Sequence, residues 1–155
     1  MHSDDQLHTA SRHLYYEVQQ LIRAGQRLLN KQYPDPATQV FILEAWVLHL
    51  RCLMEFFWLG NRKGYVHASD YAEDWTEARP AKPEELFMRV NVLAAHISIE
   101  RQTVLDDNRT WPYVNITNNM LAVLDQFESV ARPGLLDIPT WRSTQKAGFT
   151  ALDLL

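Results

Sequence analysis

Arg89 and His96 stand seven positions apart in a stretch whose apolar residues are spaced as on a helix. At about 100° per residue their side chains fall about 20° from alignment, on one edge of the apolar stripe. Glu100 follows one turn later. Such a pair suits chemistry at a phosphodiester. An imidazole titrates near neutrality and can carry the proton of a ribose hydroxyl or of a leaving oxygen, while a guanidinium offers a fork of hydrogen bonds to the phosphate. That step needs no metal. The same residues also admit a reading without chemistry, in which Arg89 pairs with Glu85 and His96 with Glu100, each four residues apart on a solvated helix edge.

Residues 41–59, FILEAWVLHLRCLMEFFWL, are the most apolar part of the chain and long enough for roughly five helical turns. Their apolar side chains cover most of the circumference, which predicts a central helix. Glu44, Arg51 and Glu55 fall within about 40° of one another on that helix and form a narrow polar seam, with His49 on nearly the opposite side. Arg51 and Glu55 are an ordinary pair four residues apart, but a charge buried on so apolar a helix has to be paired and hydrogen-bonded. If the seam faces the helix of Arg89, then Glu44, Arg51, Glu55, Arg89 and His96 share one polar cavity. His49 reads as a satisfied core histidine or as a contact to the long connection that follows, and Cys52 as a small buried hydrophobe.

Other chemistries lack their residues. There is no nucleophile elbow, no phosphate-cradling glycine loop and no paired CxxC. Carboxylates and histidines projecting into a bundle can build a di-iron site, but the required Glu-x-x-His spacing is missing from every expected helix, so neither metal nor cofactor is expected.

The elements that must position these residues follow from periodicity. A first helix is expected over 4–30, with Ser3 or Asp4 as cap and Leu7, Leu14, Val18, Leu21 and Leu28 on one face. Asp35 and Pro36 start the central helix as N-cap and first-turn proline, and the short connection makes the two helices antiparallel neighbours. Gly60 and Asn61 close it. Residues 61–82 lose periodicity and form a long crossover, in which 69–75 makes one or two short turns seating Tyr71 and Trp75 on the bundle. A third helix begins at Pro83 with Leu86, Val90, Leu93, Ile97 and Val104 as its stripe. A fourth, capped at Asn115, carries Ile116, Met120, Val123, Phe127 and Val130 and stops at Arg132-Pro133-Gly134. The tail 135–155 docks as a short fifth element or pairs with a second subunit. The sum is an all-α fold, an up-down four-helix bundle with a structured crossover between helices 2 and 3 and a C-terminal tail.

With 155 residues, 46% apolar and 22% charged, the chain reads as one globular domain over 1–155. A net charge of −4 gives no global field for nucleic acid, so any contact with RNA needs a local basic patch. One cysteine and no apolar leader segment point to the cytoplasm. Spanning a membrane is disfavoured by Glu44, His49, Arg51 and Glu55 within the apolar run.

The third-helix run Arg89-Val90-Asn91-Val92-Leu93-Ala94-Ala95-His96 resembles the arginine-to-histidine signature of the HEPN superfamily, all-α bundles found in prokaryotic toxins and defence ribonucleases. The wider pattern, His49-Leu50-Arg51 before Glu55-Phe56-Phe57 and then Arg89-x-Asn91 before Ala95-His96, resembles bacterial HEPN-like proteins of uncharacterised activity; it covers roughly 40–112. HEPN nucleases usually place a polar residue directly after the arginine. This chain has Val90 there and Asn91 one step later, about 160° from Arg89 on an ideal helix. The resemblance implies metal-independent cleavage of RNA by 2′-hydroxyl attack, a homodimer that brings two Arg-His pairs together, and an antitoxin-like partner protein. Arg89 would clamp the phosphate and His96 act as general acid–base, with Glu44, Arg51, Glu55, Asn91 and Glu100 as the supporting polar seam. The competing expectation is a non-catalytic interaction module that binds a partner protein or a nucleotide.

Overall fold

A computed structural model describes residues 2–58, 64–73, 75, 90 and 111–145. Every regular element among them is an α-helix. Helix α1 (Asp4–Leu29) opens with a reciprocal cap: Ser3 Oγ accepts from the Gln6 amide at 3.3 Å and Gln6 Oε1 accepts from the Ser3 amide at 2.9 Å. It closes with Lys31 at φ 52°, whose amide donates to the Leu28 carbonyl at 3.2 Å while that of Gln32 donates to the Arg27 carbonyl at 2.8 Å. This double bond pattern normally recruits glycine at the left-handed position.

Helix α2 (Pro36–Trp58) starts as the sequence leads one to expect, on Asp35. Its carboxylate accepts from the Thr38 amide at 2.9 Å and from the Thr38 hydroxyl at 2.7 Å, bonds that hold the Asp35 carboxyl below its ordinary pKa. The two long helices are antiparallel: Glu17 meets His49, Arg27 lies by Phe41 and Ala10 by Phe56, so contacts run in opposite directions along the pair.

The short helix α3 (Ala68–Tyr71) is held at its start by Asp70, which accepts from the His67 amide at 2.8 Å. Tyr71 and Trp75 sit on the helical core, as their place in the sequence suggests. The Tyr71 hydroxyl donates to the Leu7 carbonyl at 2.7 Å, the Trp75 indole to the Phe57 carbonyl at 3.1 Å, and both rings pack edge-on against Phe127. Helix α4 (Tyr113–Val130) begins two residues before Asn115, because the Pro112 carbonyl already accepts the Ile116 amide at 3.0 Å. A turn through Pro133 and Gly134 (φ 81°) then leads to α5 (Thr140–Gln145).

The core is one cluster in which Leu14, Val18 and Leu21 of α1 meet Trp46, Leu50, Leu53 and Phe57 of α2, and Leu124 and Phe127 of α4. Burial of each such side chain contributes roughly 1.5–3 kcal/mol. An exposed ion pair such as Arg12–Asp137 adds about 0–1 kcal/mol, so packing decides the arrangement. Helix α2 is not buried all round, as its composition suggested. Trp46, Val47, Leu50, Leu53, Met54 and Phe57 face inward, while Phe41 and Leu48 on the opposite side are 68% and 52% exposed. Among the described residues no helix is long and apolar enough to cross a membrane.

Candidate functional site

Arg89, Asn91, His96 and Glu100 lie outside the described residues. Their neighbour Val90 is described: it is helical and fully buried in the core cluster, where a member of the apolar stripe belongs. Of the α2 seam, Glu44 is exposed, and Arg51 and Glu55 have side chains 28% and 34% exposed. Arg51 Nε donates to Glu55 Oε1 at 2.9 Å. The seam thus lies beside Phe41 and Leu48, partly open to solvent at Arg51 and Glu55. Its ion pair is the ordinary four-residue kind, which stabilises a helix by a few tenths of a kcal/mol.

The opposite edge of α2 meets α1 and carries more chemistry. His49 Nδ1 lies 2.7 Å from Glu17 Oε2, with only 15% of the imidazole and 26% of the carboxylate side chain exposed. A carboxylate accepts and does not donate, so Nδ1 is the donor in this pair. The Tyr16 ring stands edge-on to the imidazole at 6.0 Å and fixes its plane. Among the described residues His49 thus finds its partners on α1.

Two cavities flank this pair along the α1–α2 groove. One of about 310 Å³ is lined by Gln20, Arg23, Arg27, Phe41, Ala45 and His49. The other, about 180 Å³, is bordered by His13, Glu17, Cys52, Phe56 and Val66. Burial pushes the Cys52 thiol up to about 11, and the charges of Glu17 and Glu55 add to the effect. At neutral pH it is a thiol and not a nucleophile. Among the described residues no group of three or more His, Cys, Asp and Glu side chains is placed to hold a metal ion.

The residue that sequence reading missed is Arg142. Its side chain is wholly buried at α5, where Nε donates to Glu128 Oε1 at 3.0 Å and Nη2 donates to Asp125. The Tyr15 hydroxyl donates to the same Glu128 oxygen at 3.0 Å. Burial, then the Glu128 charge, raises the Tyr15 phenol far above its ordinary pKa. The network joins α1, α4 and α5. One signal was present in the sequence: Asp125 and Glu128, three residues apart on α4, put two like charges on one helix face and require a cation from elsewhere.

Comparison of the chain with models of known families, with curated proteins and with solved structures finds no match in any of the three.

Proposed function

We propose that this chain is a HEPN-like protein, an up-down four-helix bundle that acts in the cytoplasm as a metal-independent endoribonuclease of toxin or defence type. The observation that carries the reading is the seven-residue spacing of Arg89 and His96 on an apolar stripe, together with the complete burial of Val90, the described member of that stripe. On an ideal helix both side chains then lie about 100–120° from Val90, off the core-facing direction and on the same edge.

In the proposed step His96 removes the proton of a ribose 2′-hydroxyl. The oxygen attacks the adjacent phosphorus, the bond to the 5′-oxygen breaks, and that oxygen leaves with a proton given by a His96 imidazolium. Arg89 neutralises charge gathering on the non-bridging oxygens. A homodimer brings two such pairs together, and the seam of Glu44, Arg51, Glu55, Asn91 and Glu100 supports them. An antitoxin-like protein is the expected partner.

A second reading, a non-catalytic module that binds a partner protein, is favoured by the exposed Phe41 and Leu48 beside the polar seam. The chemistry of product ends separates the two. Wild-type protein incubated with RNA and a chelator is expected to leave 2′,3′-cyclic phosphate and 5′-hydroxyl ends and to spare a fully 2′-deoxy substrate. Products with 3′-hydroxyl ends, or no cleavage, contradict the nuclease reading.

A further inference from the structure

We infer that the 310 Å³ cavity between α1 and α2 binds one nucleotide unit, its phosphate on Arg23 and Arg27 and its base against Phe41. The inference uses neither Arg89 nor His96 and stands apart from the cleavage proposed above. Arg23 and Arg27 are four residues apart on α1, so their Cβ atoms are about 5–6 Å apart and both guanidinium groups can reach one phosphate. Neither arginine takes part in an ion pair among the described residues. Like charges at this spacing repel on a helix by a few tenths of a kcal/mol, a cost that an anion held between them removes. The C-terminal dipole of α1 accounts for Arg27 in the last turn, but Arg23 lies beyond its reach.

No carboxylate is among the described residues that line this cavity, and Glu17, beside the lining residue His49, is engaged by its imidazole at 2.7 Å. His49 and Gln20 add polar groups to the wall. Phe41, 68% exposed on the rim, offers a flat face of the kind on which bases stack without regard to sequence. A cavity of about 310 Å³ is at the lower end of the range of small-molecule sites, suited to a single nucleotide rather than a dinucleotide. The chain has no global basic field, so this local pair of arginines is also the kind of patch that contact with a nucleic acid strand would need.

Calorimetric titration of the full chain with AMP, inorganic phosphate, adenosine and a short oligoadenylate tests this. AMP is expected to bind with a Kd on the order of 0.1–1 mM, tighter than phosphate or adenosine alone. Arg23→Gln with Arg27→Gln should weaken AMP by roughly tenfold or more, and Phe41→Ala should weaken AMP while leaving phosphate unchanged. All three positions are exposed, so the variants should keep the wild-type melting temperature. Oligoadenylate binding tighter than AMP and lost in the double variant supports a nucleotide within a strand as the occupant; equal affinities support the free nucleotide. Undetectable binding of both AMP and oligoadenylate, AMP binding indifferent to the arginine substitutions, or phosphate binding as tightly as AMP overturns the inference.

Discussion

At the scale of single residues, Arg142 separates a charge that matters to stability from charges that do not. Its guanidinium is wholly buried against Asp125 and Glu128, whereas Arg12 meets Asp137 with 65% of its own side chain in solvent. Arg142→Met should cost about 3–5 kcal/mol in urea unfolding, because Glu128 would keep its buried charge without its cation. Arg12→Ala should cost less than about 1 kcal/mol. Equal effects would contradict this ranking. The sequence displayed Arg142 as one polar residue in a tail rich in apolar ones, and no local pattern marks it as buried. Its burial depends on where α1 and α4 lie, which is tertiary information. His49 was legible as a satisfied histidine, yet not its partner Glu17, 32 positions away.

At the scale of elements, starts were easier to read than stops. Ser3 with Gln6 and Asp35 with Pro36 are local signals whose bonds close within four residues, and both form in the structure. The end of α1 carries no such signal, because Lys31 takes the left-handed conformation at φ 52° where glycine is usual. Lys31→Gly should therefore stabilise the chain by roughly 1 kcal/mol and raise the melting temperature by about 2–4 °C. A lower melting temperature would show that Lys31 contributes a contact larger than its backbone cost. The start of α4 at Tyr113 rather than Asn115 has a related cause, since a proline carbonyl can begin a turn without a capping side chain. The α2 seam was legible as a stripe; that its Arg51–Glu55 pair is partly exposed depends on which apolar side of α2 the core takes.

For the whole molecule, the all-α class was legible because periodicity alone decides it, and the described helices share one core. That core also sets a pH limit. Burial is the first cause that raises the Cys52 thiol to about 11 and the Tyr71 phenol to about 12, and it raises Tyr15 and Tyr113 as well. Above their ordinary values of 9.0 and 10.0 the unfolded chain releases these protons while the folded chain keeps them. The stability they contribute is thus fully present below pH 9 and falls as pH rises through 11 to 12. Urea midpoints measured from pH 8 to 12 should decline over that interval; a flat profile would contradict the burial of these groups.

Arg89 and His96 are proposed to act together on a ribose phosphate without metal, and single-turnover cleavage of RNA in the presence of a chelator tests this most directly. Wild type should cut, while His96→Ala and Arg89→Ala, each with wild-type helical content by circular dichroism, should lose at least about a hundredfold in rate. Cleavage by folded His96→Ala at the wild-type rate would contradict it.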